Sequence, residues 1–337
     1  VLQSFKPRKK YKLLLLVDDS EATEKAVEWS ALIAEKQGWP VRTLTVSKTR
    51  RFGPGYQGAA DKAKAGVVMY SEGMSIPKHM DDIISGRVHN ALYYPPVLNL
   101  NRLINPEFSI FRVAELYKEK ITREFNLCLF NGHGIELNTF RPGRPPWVDS
   151  GYAYLGKILR ILRLCSPNFK SYGWVPLYQI QDSSLFVNYW PGHQIPEVYT
   201  AINFIPNGGQ LILNTGGTTE DLHYIDLWNY QELSVQGNDI KVSVDPFDPK
   251  DLGTNNESSI TAIAGFKKYL EVHNISSEEI QLHTSYGDKI MIWPGNPSYS
   301  YIPVTLTVSD TVVNVHEIIS GYFGKLTFEL YNKDQLI

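Results

Sequence analysis

The stretch Asn126-Leu127-Cys128-Leu129-Phe130-Asn131-Gly132-His133-Gly134 constrains this chain more than any other. A short apolar run stops abruptly at Asn-Gly-His-Gly. That pattern predicts a buried strand delivering a histidine to the rim of a sheet. Gly132 and Gly134 free the backbone for a sharp turn and for close approach of another group. An imidazole held there can accept or donate a proton near neutral pH.

The flanking sequence predicts the sheet to which this strand would belong. Lys12–Val17 (KLLLLV) is a continuous apolar run, as in a strand covered on both faces. Asp18-Asp19-Ser20 supplies helix-cap chemistry, and Ala26, Trp29 and Ile33 recur at helical spacing up to Gly38. Val41–Val46 (VRTLTV) then reads as a second strand. Together they form a β-α-β unit, whose natural form is a right-handed crossover into a parallel sheet. Gly66–Tyr70 predicts a third strand, Met80–Ile84 a short helix, and Phe111–Ile121 a helix before the histidine strand. Residues 86–107 read as irregular.

Beyond the proline-dense segment 140–147, Leu155, Ile158, Leu159 and Leu162 outline an amphipathic helix with Lys157, Arg160 and Arg163 opposite. Trp174–Ile180, Leu185–Tyr189 and Gln210–Leu213 read as strands, with a helix near Pro196–Phe204. From about residue 232, strand-like runs alternate with hairpin punctuation at Gln236-Gly237-Asn238-Asp239 and Tyr286-Gly287-Asp288. One helix is expected over Ile260–His273, and strands at Ile290–Trp293, Val304–Val308 and Lys325–Leu330. The expected architecture is therefore a basic tail (1–11), an α/β domain (12–231) and a β-rich domain (232–337). The α/β domain would be a mainly parallel sheet flanked by helices.

Composition narrows the partners. The 337 residues carry a net charge of −2, so no global field favours nucleic acid, and the only basic run is Lys6–Lys12. No apolar stretch approaches the length of a membrane span, and none is expected. Two cysteines, Cys128 and Cys165, cannot build a disulfide framework. The 20 Tyr and 7 Trp suit large cores and also binding faces.

With a strand-helix-strand opening followed by a strand ending in Asn-Gly-His-Gly, residues 10–231 resemble the caspase-like cysteine peptidases, especially their gingipain-type branch. Asn207–Asp221 is similar to a later strand and loop of that branch, and an immunoglobulin-like module often follows, as the β-rich end would. The resemblance implies Cys/His amide-bond hydrolysis or a catalytically degenerate relative. His133 would serve as proton acceptor for a thiol, and backbone groups near Gly132 and Gly134 would hold an oxyanion. Cys165 has the required atom but falls near the end of the helix over 155–164. Ser183, within Gln181-Asp182-Ser183-Ser184, follows a strand and is the alternative nucleophile. Trp147, Trp190 and the segment 181–194 would wall the pocket.

Two other readings stay open. One is a non-enzymatic structural or assembly protein, such as a shell, virion or adhesion component. The other is a metal-dependent amidohydrolase, because Asn-Gly-His-Gly also resembles the turn of creatininase-like enzymes; its nearest candidate ligands are His79, His89, Asp81 and Asp82. The peptidase reading calls for no cofactor and no metal. Its partner would be a polypeptide substrate or another protein, and oligomer formation is compatible with it.

Overall fold

A computed structural model of the chain describes residues 13–17, 41–45, 70–72, 85–89, 98–104, 108–114, 122–137, 149–182, 185–215, 221–247, 258–299, 301–308, 311–322 and 324–337. It divides into two units. One comprises residues 1–118 and 133–146, the other residues 119–132 and 147–337. Several expectations lie outside the described residues: the helix after Asp18, the short helix at Met80–Ile84, Ser183 and Trp147.

The first unit holds parallel strands. β1 (Leu13–Val17) pairs in parallel with β2 (Val41–Thr45), as the β-α-β pattern predicts. β3 (Tyr70–Glu72), β4 (Ser85–His89), β5 (Ser109–Ala114) and β6 (Gly134–Leu137) form a second parallel sheet in the order β3-β4-β5-β6. Helix α1 (Leu100–Ile104) lies between β4 and β5 in the chain. The expected helix at Phe111–Ile121 is corrected at its start, because Phe111–Ala114 belongs to β5. The irregular reading of 86–107 is corrected by β4 and α1.

The second unit begins with helices α2 (Thr122–Asn131) and α3 (Asp149–Leu164). The apolar run expected as a strand is therefore a helix. Phe125, Leu127, Cys128, Leu129 and Phe130 are buried, and so are Arg123, Glu124, Asn126 and Asn131, so α2 is covered around its circumference and shows no exposed face from residue 123 on. In a run this short, periodicity cannot separate a buried strand from a buried helix. Helix α3 was legible because Leu155, Ile158, Ile161 and Cys165 form a buried stripe, while Arg163 stays exposed.

The largest sheet is antiparallel. It contains β7 (Val175–Asp182), β8 (Leu185–Pro191), β9 (Glu197–Asn203), β11 (Leu222–Asp226), β12 (Gln231–Leu233) and β15 (Ser259–Lys267), in the order β12-β11-β15-β9-β8-β7. β7, β8 and β9 are joined by short connections, and these can only reverse the chain, since parallel pairing needs a long crossover. A smaller antiparallel sheet, β10 (Gly209–Asn214), β13 (Val235–Gln236) and β14 (Asp239–Val244), covers one face. Leu185, Val187, Tyr199, Leu211, Leu213, Val242 and Ile263 fill the space between the two sheets. Helix α2 packs against β8, β9 and β15.

With both faces covered, β9 and β15 are buried at nearly every position and lose the period-two alternation of a half-exposed strand. This is why the runs at Pro196–Phe204 and Ile260–His273 read as helices; both are corrected to strands. The expected mainly parallel α/β sheet is likewise corrected. Parallel pairing is confined among the described residues to β1–β6, and every other paired strand runs antiparallel.

A small β-sandwich completes the second unit. One sheet contains β16 (Leu270–Asn274), β17 (Glu279–Thr284) and β20 (Thr311–Asn314). The other contains β18 (Lys289–Pro294), β19 (Val304–Thr307), β21 (Leu326–Asn332) and β22 (Gln335–Leu336). Ile280, Leu282, Ile290, Ile292, Val313 and Leu330 form its core. Gln236–Asp239 is the hairpin expected from its sequence, joining β13 to β14. Tyr286-Gly287-Asp288 instead carries the chain from one sheet to the other.

Candidate functional site

The Asn-Gly-His-Gly motif is a helix-to-strand turn. Gly132 follows the last residue of α2 with φ +62°, and a Cβ there would sit 2.9 Å from the Phe169 side chain. Its glycine is thus a helix C-terminal cap in a left-handed conformation with no room beside it. His133 comes next, and Gly134 opens β6 beside Phe111. The histidine therefore stands at the amino end of its strand. Ligands of parallel α/β sheets bind beyond the carboxyl ends.

His133 is only 5% exposed, and neither ring nitrogen has a hydrogen-bond partner among the described residues. Burial, then the positive charges of Arg112 and Arg102, hold its pKa well below the usual histidine range. It is a neutral, enclosed imidazole with no nucleophile bonded to it. Cys165 is fully buried just past the last residue of α3, where its N–H donates to Ile161 O at 2.9 Å. Burial pushes its thiol pKa up, the opposite of what a thiolate nucleophile needs. Trp190, expected in a pocket wall, is fully buried in the core. Neither His133 nor Cys165, taken by itself, has the exposure that an attacking thiol or its base needs. Among the described residues no group of three His, Cys, Asp or Glu could hold a metal ion; His79, Asp81 and Asp82 lie outside them.

What the second unit does offer is a cleft of about 500 Å³ where the edge of the six-stranded sheet meets the sandwich. β11 contributes His223, β12 Glu232, the end of β15 Phe266 and Lys267, and β16 Glu271 and His273. The floor is apolar, with Phe266 and Phe328 among its aromatic groups beside Tyr230. His223 Nδ1 stands 3.5 Å from Glu232 Oε1, and His273 Nε2 stands 3.3 Å from Glu271 Oε2. Glu232 and Glu271 are both exposed at 68% and 58% of their side chains, so their remaining lone pairs face open space. Burial lowers the pKa of His223, and the nearby Glu232 carboxylate acts in the other direction. Composition could not locate this cleft, because its residues come from strands far apart in sequence.

A second polar cluster stands at one end of the six-stranded sheet. Tyr224 Oη donates to Glu197 Oε1, and Tyr199 Oη donates to Oε2 at 3.1 Å. The rings of Tyr178, Tyr189 and Tyr199 stand 5.2–5.7 Å apart beside it. Gly265 leaves room for this group, since a Cβ there would lie 3.0 Å from Tyr224 and 3.1 Å from Glu197. Burial raises the Glu197 pKa, and the two hydroxyl donors offset part of that shift. The folded state therefore holds this proton to higher pH than the unfolded chain. Its stabilising contribution is complete below about 4.5 and is lost as pH rises through the raised value. Glu197→Gln is expected to flatten the pH dependence of stability above pH 4.5 and to raise the melting temperature at pH 8, measured by thermal unfolding across pH.

No family model and no curated relative matches the chain. Among solved structures, a candidate α-galactosidase from Bacteroides fragilis superposes with a TM-score of 0.50 at 12% identity, covering 76% of this chain and 62% of that one. An α-amylase from Geobacillus thermoleovorans gives a TM-score of 0.46 at 11% identity, covering 71% and 63%. The chain thus spans about three fifths of the length of these structures. The first likeness bears on fold alone, and the chain it is to is described as an α-galactosidase. Cys/His peptide hydrolysis, the assembly-protein reading and the metal-amidohydrolase reading are all corrected on this account. Among the described residues no helix is long and apolar enough to cross a membrane.

Proposed function

We propose that this is a carbohydrate-active protein whose antiparallel unit holds a glycan in the cleft between the six-stranded sheet and the sandwich. The observation that carries this reading is the chemistry of the cleft. Its volume of about 500 Å³ lies in the range of small-ligand sites. Exposed carboxylates at Glu232 and Glu271 and the ammonium of Lys267 suit the vicinal hydroxyls of a sugar. The apolar floor with Phe266 and Phe328 suits its C–H faces. The fold likeness to a glycosidase-type chain supports the same reading.

Glycosidic cleavage requires two carboxyl groups flanking the scissile bond. In the cleft Glu232 and Glu271 are engaged by histidines and Glu329 by Arg160, so its role in this reading is binding. In parallel-strand enzymes the chemistry sits at the carboxyl ends of the strands. Residues following β4, β5 and β6 there lie outside the described set.

Calorimetric titration with galacto- and malto-oligosaccharides tests the reading. Binding in the millimolar range or tighter is expected, weakened about tenfold by Glu232→Ala combined with Glu271→Ala. Both positions are exposed, so the double variant should keep its stability within about 0.5 kcal/mol per site. Equal binding by wild type and double variant would contradict the reading.

A further inference from the structure

Glu197 carries a charge that no cation answers. Among the described residues, no Lys, Arg or His acts electrostatically on it or on Tyr178, Tyr189, Tyr199 or Tyr224 around it. The side chain is half-buried, so the carboxylate stands at an opening rather than in the core. Tyr189 pairs with Tyr199, Glu197 with Gly265, and Gly265 with Tyr224, so these positions share one face of the six-stranded sheet. His223 and Phe266, which line the cleft, alternate to the opposite face, and the two places are separate. β7 adds Tyr178. The rings of Tyr178 and Tyr189, Tyr178 and Tyr199, and Tyr189 and Tyr199 stand 5.4, 5.7 and 5.2 Å apart, inclined at 38°, 51° and 41°. Tyr178 and Tyr189 are half-buried, while Tyr199 and Tyr224 are buried. The end of β10 adds main-chain oxygens. Tyr178 Oη donates to Asn214 O at 2.9 Å, and Tyr199 Oη reaches Thr215 O at 3.4 Å. A phenol that donates still keeps lone pairs on its oxygen. The place is thus rich in oxygen acceptors and aromatic rings around an unmatched negative charge.

We infer that Glu197 and the tyrosines around it bind the primary ammonium group of a ligand. The carboxylate supplies the countercharge, phenol and main-chain oxygens accept from the ammonium, and the rings meet the cation and its adjoining C–H groups. A primary ammonium presents N–H donors on several sides and so matches acceptors that come from several strands. A quaternary ammonium has no N–H and would use the rings alone. A calcium ion wants about six to eight oxygen ligands, usually with further carboxylates. Here the carboxylate already accepts from Tyr224 and Tyr199. The same ammonium group occurs on amino sugars and on alkylamines, and titration separates the two.

Backbone amide spectra of the labelled protein, titrated at pH 7 with butylamine, glucosamine, tetramethylammonium chloride and calcium chloride, test the assignment. Saturable shifts in the millimolar range are expected at residues 197–199, 214–215 and 265 with the primary amines, and the tighter of the two identifies the source of the ammonium. Tetramethylammonium should bind about tenfold more weakly, and calcium should leave these amides unmoved. Glu197→Gln should weaken amine binding about tenfold while melting no lower than wild type, because a neutral amide spares the cost of a half-buried charge. The ligand comparisons decide the matter in the unmodified protein as well. Equal binding by Glu197→Gln, equal binding of tetramethylammonium, saturation by calcium, or silence of these amides toward both amines would overturn the assignment.

Discussion

Glu329→Ala is expected to destabilise the second unit by about 3–5 kcal/mol, the usual cost of removing one partner from a buried ion pair. Glu329 on β21 is 5% exposed and accepts from three directions. Arg160 Nη2 of α3 donates to Oε1, while Trp293 Nε1 and Tyr331 Oη donate to Oε2 at 2.8 and 3.0 Å. Arg160 also donates from Nε to Tyr230 Oη at 2.9 Å and lies over the Trp293 ring at 4.7 Å. Burial alone would lower the Arg160 pKa, but the Glu329 carboxylate outweighs it and the net shift is upward. Alanine at 329 leaves a buried guanidinium, an indole N–H and a phenol without their acceptor. Arg160→Met in the Glu329→Ala background should cost less than the sum of the two single changes, because the second removes the charge that the first orphans. Urea unfolding of the four proteins measures this coupling.

Trp190→Ala should cost about 3–5 kcal/mol. Trp190 is fully buried on β8, stacked on Trp174 at 5.2 Å and meeting the Phe169 ring edge-on at 5.1 Å. Its Nε1 donates to Thr200 Oγ1 at 3.0 Å, and that hydroxyl donates to Phe130 O at 2.9 Å. Asn188 Nδ2 reaches the same carbonyl at 2.9 Å. The indole therefore both fills the core and orients a hydroxyl that caps α2. Alanine leaves a cavity and frees Thr200 to turn away. Trp190→Phe keeps most of the volume and should cost clearly less. Hydrogen exchange should locate the difference, with faster exchange of the α2 amides in Trp190→Ala than in Trp190→Phe.

How far the fold could be read from residues depended on how each element is covered. β1 and β2 were legible because a β-α-β crossover has a fixed form. Helix α3 was legible because one face is wet. The Gln236–Asp239 hairpin was legible because its turn chemistry is local. α2, β9 and β15 were misread for one shared reason. Each is enclosed on all sides, with polar residues such as Asn126, Thr200 and Thr261 buried beside the apolar ones, so no exposed face marks its period. Reversing helix and strand at α2 then moved His133 to the wrong end of β6, and the peptidase geometry followed from that single exchange. The cleft was invisible for a different reason. His223, Glu232, Lys267 and Glu271 are scattered over the chain and meet only through the pairing of β11 with β12 and β15 and the turn into β16.

The central claim is that the Glu232–Glu271 cleft receives a glycan, and the backbone amide spectrum of the labelled protein during an oligosaccharide titration tests it most directly. The account predicts saturable shifts centred on residues 223–232 and 266–273, with Trp190 and its neighbours unmoved. Shifts elsewhere with this cleft silent, or a spectrum unchanged by every sugar offered, would contradict it.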